Sequence, residues 1–177
     1  MQKERLFARI GELTVRYATL EHQLQSLLDL LLAQDNQLIG PFLIHELNLA
    51  VLLRKIKHIG RYRLQNNPRL LTDLEQALKR IEAIRDLRNL LMHGNWQIHE
   101  ECPACPVKVR DFKMKFEGGQ WQETTETTFN EKKLDQLIAR LQGMSNDIQR
   151  LMEQIPFPNL PLPRQERKQE PRRIDKL

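Results

Sequence analysis

The sequence lacks several features by which enzymes and membrane proteins are usually identified. It has no glycine-rich phosphate loop, no serine-centred nucleophile elbow and no paired-carboxylate pattern. No apolar run approaches the roughly eighteen residues that a membrane span requires. The charged start of the chain leads into an amphipathic helix rather than the apolar core of a signal peptide. We therefore expect a cytoplasmic protein that does not enter a membrane.

Cysteine is nearly absent, with Cys102 and Cys105 forming a single Cys-Pro-Ala-Cys pair. A tetrahedral zinc site needs four ligands. His99 could supply a third, and a second subunit could complete the set. The alternative is two reduced thiols in a loop. The five histidines are scattered, and no two lie three or four residues apart, which disfavours a metal site on a helix. We predict neither a metal nor an organic cofactor.

The net charge of +5 is unevenly distributed. The segment from Arg164 onward carries six Lys/Arg and three Asp/Glu, so it supplies +3. The remaining +2 is too little for a surface that coats nucleic acid, and any contact with a polyanion must be local. The length suits one domain, which we place at residues 1–155. A proline-rich basic tail follows at residues 156–177 and could bind a protein partner.

Apolar residues at gaps of three and four predict four helices. We place the first three at about Lys3–Ala33, Pro41–Leu64 and Pro68–His93. The fourth begins at the capping-box spacing of Thr128 to Glu131 and ends at Ile155. Heptad seams in the first and last helices favour long helical partners. The predicted fold is mainly α: an antiparallel four-helix bundle.

Between the third and fourth helices the pattern changes to alternating apolar and polar residues. Residues 96–98 resemble a short strand, and residues 107–116 and 121–129 resemble two arms turned by Gly118-Gly119. This predicts a β-hairpin insert at residues 95–129. Because an isolated hairpin is marginal in water, it should pack on the bundle near the end of the third helix.

The end of the third helix has charges where a bundle helix should be apolar. At 100° per residue, Arg88 falls near the middle of the apolar stripe and Arg85 near its edge, while Asn89 and His93 share a neighbouring strip. An arginine in such a stripe either pairs with a carboxylate or faces a wet cleft. Gly94 suits a left-handed helix stop. His93 then lies in the last turn, where the helix dipole favours the protonated imidazole.

Two readings of these charges stay open on the residues alone. Arg88 could form an ordinary ion pair with another helix, and His93 could simply cap its own helix. A second basic cluster includes Lys57 and Arg61. It could be a solvated helix face or a surface that binds a phosphate backbone next to Arg88.

The segment Arg88-Asn89-Leu90-Leu91-Met92-His93 resembles the Arg-x4-6-His motif of the HEPN superfamily (higher eukaryotes and prokaryotes nucleotide-binding domains). Members are small antiparallel helical bundles, and many form homodimers. The resemblance implies a metal-independent endoribonuclease, as in toxins and defence nucleases, with two motifs facing each other in one composite cleft.

In that cleft, Arg88 would hold the scissile phosphate, His93 would act as general base or acid, and Asn89 would orient the imidazole or a phosphate oxygen. Arg85, Lys57 and Arg61 are candidate RNA-binding residues. The superfamily also contains non-catalytic dimeric interaction and nucleotide-binding modules, which are the alternative. Toxins with Arg-x4-His-x-Tyr are modified on the tyrosine by a partner nucleotidyltransferase. This chain has Asn95 at that position, so that form of regulation by an antitoxin is not expected.

Overall fold

The structure is a computed structural model that describes residues 3–32, 44, 47–98, 107–110, 115–117, 120–122 and 126–155. The described helices are α1 (Lys3–Leu32), α2 (Leu49–Arg63), α3 (Pro68–His93) and α4 (Glu131–Gln154). The strands are β1 (Asn95–Gln97), β2 (Val107–Arg110), β3 (Lys115–Glu117), β4 (Gln120–Gln122) and β5 (Glu126–Phe129). The prediction of a mainly α fold with a small β insert is confirmed. Cys102, Cys105, His99 and the tail at residues 156–177 lie outside the described residues.

Helices α1 and α3 have nearly the bounds that the sequence predicts. Helix α3 begins with Pro68 in its first turn, and the Asn67 side chain accepts a hydrogen bond from the backbone N–H of Leu70 at 3.2 Å. The proline has no N–H to leave unpaired, so this start costs the helix nothing. Most of the apolar stripe of α3 is buried, together with the seams of α1 and α4, in one continuous core.

Helix α2 begins at Leu49, because the helix predicted from about Pro41 is interrupted at Leu47 and Asn48. Ile44 is helical, and residues 41–43, 45 and 46 lie outside the described residues. The Asn48 side chain accepts a hydrogen bond from the backbone N–H of Val51 at 3.1 Å. An asparagine side chain competes with the helix for backbone donors, so it starts a helix more readily than it continues one.

The first residue of α4 also differs from the prediction. The cap is Asn130, whose side chain accepts from the backbone N–H of Lys133 at 2.9 Å. Thr128 pairs with Lys108 in the sheet, so it is unavailable for the predicted capping box. Strand pairing fixes Thr128 in an extended conformation, and the helix starts two residues later.

The four described helices do not alternate strictly in direction. Side-chain contacts join Arg9 to Asp135 at 2.8 Å and Gln23 to Ser145 at 2.6 Å, so α1 and α4 run parallel. The guanidinium of Arg63 donates to the carbonyl oxygen of Leu31, which places the ends of α1 and α2 together. Helix α3 runs opposite to α2 and α4. The predicted antiparallel arrangement therefore holds for α3 with α2 and with α4, but α1 runs parallel to both α2 and α4.

The insert forms two separate antiparallel ladders. Strands β3 and β4 pair Phe116 with Trp121 and Glu117 with Gln120, which puts the chain reversal where the sequence predicts it. The second ladder is a three-stranded sheet of order β1–β2–β5. Its buried residues Val107, Val109 and Phe129 join the helical core. The sheet therefore packs on the bundle, and β1 belongs to it rather than standing alone.

Gly94 ends α3 for a different reason from the one predicted. Its φ of −72° and ψ of 155° are extended, not left-handed. A Cβ atom at this position would collide with the carbonyl oxygen of Leu90 and with the side chain of Val109. The indole Nε1 of Trp96 donates to the carbonyl oxygen of Leu91 at 3.1 Å and fixes the same junction. Glycine is needed because strand β2 lies directly against the end of the helix.

Three helical glycines should respond differently to alanine. Gly11→Ala and Gly143→Ala should each raise the free energy of unfolding by up to about 1 kcal/mol, because an added Cβ meets no neighbouring atom and alanine favours the helix. Gly60→Ala should gain less or lower stability, because its Cβ would press on the Leu74 side chain between α2 and α3. Urea unfolding of the three variants measures the contrast. An equal gain in all three would contradict the close packing at Gly60.

Candidate functional site

A cavity of ≈ 530 Å³ lies where α2 begins. The packing is closest between α1 and α2, α1 and α4, α2 and α3, and α3 and α4, which places α1 and α3 on a diagonal of the bundle. The cavity lies between α1 and the end of α3, beside the start of α2. Eleven of the described residues line the cavity: Glu21, Gln25, Leu47, Asn48, Leu49, Ala50, Leu52, Arg85, Asp86, Arg88 and Asn89.

Arg88 reaches across this diagonal from α3 to α1. Its Nη2 lies 3.4 Å from Oε1 of Glu21, and its Nη1 donates to Oδ1 of Asn89 at 3.3 Å. Both distances are long for hydrogen bonds from a charged group. The Arg88 side chain remains 27% exposed. Arg88 therefore satisfies both sequence expectations at once, since it pairs with a carboxylate and also lines an open cavity.

Two polar atoms near this contact are buried without a hydrogen-bond partner in the described part of the chain. They are Nε of Arg88 and the hydroxyl of Tyr17. Burial raises the pKa of Tyr17 to about 12, while the positive charges of Arg88 and Arg140 act in the opposite direction. Tyr17 is therefore neutral at physiological pH. In the Arg88 guanidinium, Nε is buried by packing, whereas Nη2 and Nη1 make the long contacts to Glu21 and Asn89.

The charges on the cavity wall balance. Two cations, Arg85 and Arg88, lie among two carboxylates, Glu21 and Asp86. Arg85 has Asp86 at 3.5 Å and Glu82 at 3.6 Å, both on its own helix and both largely exposed. Ion pairs this exposed contribute little to stability. The wall formed by the described residues is polar and close to neutral, with amide groups from Gln25, Asn48 and Asn89 beside the charges.

His93 lies beside the cavity rather than in its wall. It is exposed in the last turn of α3, one turn beyond Asn89 on the same strip of the helix. Side chains at this spacing have their Cβ atoms about 6 Å apart. Within the described part of the chain, His93 makes no hydrogen bond or ion pair, so its imidazole is free to meet another molecule. The structure thus brings Arg85, Arg88 and Asn89 together and leaves His93 at the rim.

Lys57 and Arg61 are not part of this site. Both are exposed on the second half of α2, and Arg61 pairs with Glu75 near the start of α3 at 2.6 Å. Glu75 precedes Arg85 by ten residues, which is about 15 Å along a helix. Arg61 therefore lies well away from Arg88, because α2 and α3 run in opposite directions and meet at the short turn between them. A role of Lys57 and Arg61 in binding RNA stays a prediction.

Sequence reasoning missed the α1 side of the site. The sequence pattern did not indicate Glu21, which faces Arg88 and lines the cavity. Tyr17, Glu21 and Gln25 are spaced by four residues, so they form a polar strip beside the apolar seam of α1. This polar strip could have indicated the α1 side of the site, because three polar groups in line at the edge of the core need partners on another helix.

The described residues contain no group of three or more His, Cys, Asp or Glu side chains placed to hold a metal ion. The zinc alternative concerned Cys102, Cys105 and His99, which lie outside the described residues. No helix among the described residues is long and apolar enough to cross a membrane.

The buried Tyr17 hydroxyl should affect stability at alkaline pH. The folded-state pKa lies above the usual value of 10, so Tyr17 adds no pH dependence below pH 10. Between pH 10 and about 12 the unfolded chain loses this proton first, and stability should fall by about 1.4 kcal/mol per pH unit. Tyr17→Phe should remove this part of the decline and cost little at pH 7, because the hydroxyl has no hydrogen-bond partner among the described residues.

Urea unfolding at pH 7 and pH 11 measures the effect of Tyr17→Phe. Tyr62→Phe is the control, because Tyr62 is 70% exposed. If the two variants lost stability equally between these pH values, the buried hydroxyl would not be the cause.

Comparison with known proteins yields no relative. The chain matches no protein-family model, no curated protein and no solved structure.

Proposed function

We propose that the protein is a metal-independent endoribonuclease of HEPN type, with a composite active site formed by two copies of the chain. The observation that carries the proposal is Arg88, an arginine in the core stripe of α3 that lines an open polar cavity. A guanidinium placed only to hold the bundle together would be expected in a closer pair with its carboxylate. At 3.4 Å from Glu21, Arg88 can exchange that contact for a phosphate oxygen.

The position of His93 supports a site that needs a second copy. Arg88 points across the bundle, whereas His93 is exposed at the rim one turn beyond Asn89. One chain therefore does not place the imidazole and the guanidinium in the same wall. Two copies related by a twofold axis through this rim would bring the His93 of one chain towards the Arg88 of the other.

These two groups supply what RNA cleavage by internal transesterification requires. His93 removes the proton from the ribose 2′-hydroxyl, whose oxygen attacks the adjacent phosphorus. The bond from phosphorus to the 5′-oxygen breaks, and the same imidazole, now protonated, returns that proton to the leaving oxygen. Arg88 stabilises the negative charge that develops on the phosphoryl oxygens. The products are a 2′,3′-cyclic phosphate and a free 5′-hydroxyl, and no metal is needed.

Incubation of the purified full chain with single-stranded RNA in excess EDTA tests the proposal. We expect cleavage products with 2′,3′-cyclic phosphate ends, from a protein that is dimeric by light scattering. Absence of cleavage in EDTA and in added Mg²⁺ would contradict the proposal, and so would cleavage only when Mg²⁺ is present.

The second candidate is a non-catalytic module that binds a nucleotide. It is favoured by one observation, the cavity volume of ≈ 530 Å³, which is large enough to enclose a small ligand. Nucleotide binding without RNA cleavage under any of these conditions would select this candidate. As part of the first candidate function, we also propose a role as a toxin controlled by an antitoxin or as a defence nuclease. RNA cleavage by the purified protein does not depend on either role.

A further inference from the structure

We propose that the cavity beside Arg88 holds one unstacked base of single-stranded RNA and that Gln25 reads that base. This inference rests on the proposed function, since it assigns a base subsite next to the proposed scissile phosphate. It concerns residues of α1 and the α2 start, which have no role in the transesterification itself.

The size and chemistry of the cavity fit a base better than a phosphate. Its volume of ≈ 530 Å³ falls in the range of pockets that enclose small ligands. Among the described wall residues the two cations are balanced by Glu21 and Asp86, so the singly charged phosphodiester of RNA gains little by entering. A neutral base with several hydrogen-bonding atoms suits a near-neutral polar wall. The phosphate would then stay at the rim, between Arg88 and His93.

Gln25 is the residue of the cavity wall whose side-chain amide is available to bind the base. Within the described part of the chain its amide makes no hydrogen bond, so both a donor and an acceptor remain available. Asn48 is committed to the cap of α2 through its oxygen, and the oxygen of Asn89 accepts from Arg88. A primary amide can pair with two adjacent atoms of a base edge, and each such pair discriminates strongly between bases.

The acceptors around Gln25 predict which bases bind. The Gln25 amide can pair with the N6 amino group and N7 of adenine, and the Glu21 carboxylate one turn before it adds an acceptor for an amino group. Adenine, cytosine and guanine carry an exocyclic amino group that donates to such acceptors, whereas uracil has none. The cavity should therefore prefer amino-bearing bases and reject uracil. Recognition of an unstacked base in this way is also how most sequence-specific RNA binding operates.

Binding of oligonucleotides that cannot be cleaved tests this inference separately from catalysis. Short 2′-O-methyl oligoadenylate and oligouridylate lack the 2′-hydroxyl nucleophile, so their binding to the full chain by fluorescence anisotropy reports recognition alone. We expect oligoadenylate to bind about tenfold more tightly than oligouridylate. Gln25→Leu should reduce this ratio to near one. Gln136→Leu is the matched control, because Gln136 is an exposed glutamine on α4 outside the cavity wall.

The outcomes separate the two proposals. A base preference that depends on Gln25, found without any RNA cleavage, would support the base subsite and reject the ribonuclease. RNA cleavage with equal binding of both oligonucleotides, or with a preference that survives Gln25→Leu, would overturn the base subsite and leave the ribonuclease standing. A preference lost equally in Gln25→Leu and Gln136→Leu would also overturn the role of Gln25.

Discussion

His93→Ala should slow RNA cleavage by about 10²- to 10⁴-fold, the usual contribution of a general base or acid. The free energy of unfolding should stay within about 0.5 kcal/mol of the unchanged protein, because the side chain is exposed and has no partner among the described residues. The separation of these two effects is the informative part. A histidine that merely capped α3 would lower stability and leave the rate of cleavage by the folded protein unchanged.

Single-turnover cleavage and urea unfolding measure the two effects of His93→Ala. His58→Ala is the control, because His58 is also exposed on a helix, lies in the second half of α2 and does not line the cavity. Equal cleavage by the His93 and His58 variants would remove His93 from the mechanism.

Arg88→Ala should lower the rate of cleavage by about 10²- to 10³-fold, because a group that stabilises the transition-state charge is lost. Arg88→Lys should recover only part of the activity, since lysine keeps the charge but not the planar fork that can hold two phosphate oxygens. The stability change should be modest. The pair with Glu21 is long and partly exposed, and pairs of this kind contribute about 1 kcal/mol or less.

Arg80→Ala is the matched control for Arg88→Ala. Arg80 lies two turns earlier on α3 and pairs with Asp147 of α4 at 3.0 Å, so it has the same residue type and the same kind of contact. It does not line the cavity. If both variants lost cleavage in proportion to lost stability, Arg88 would have a structural role only.

The spacing of apolar residues and the helix-start residues predicted most of the helices and strands, because contacts between residues close in sequence determine these elements. The apolar stripe of α3 and the Asn67-Pro68 start need only the residues themselves, and the structure has α3 at the predicted bounds. The strand pattern around residues 107–129 likewise gave the chain reversal between Glu117 and Gln120. In each case the deciding contacts lie within one element or between close neighbours in sequence.

The remaining features depend on contacts between distant residues. Glu21 and Arg88 are 67 residues apart, and they meet only because α1 and α3 lie on a diagonal of the bundle. The extended conformation of Gly94 depends on Val109, which belongs to a strand that returns later in the chain. The sequence therefore identified Arg88 and its neighbours on α3, but not the α1 wall that makes the cavity.

Mixing two inactive variants tests the composite site most directly. Arg88→Ala and His93→Ala chains carrying different tags would be co-expressed, and the mixed dimers purified through both tags. The account predicts that mixed dimers cleave RNA in EDTA far faster than either variant alone, because the Arg88 of one copy would meet the His93 of the other. Mixed dimers as inactive as each parent, alongside an active unmodified protein, would contradict it.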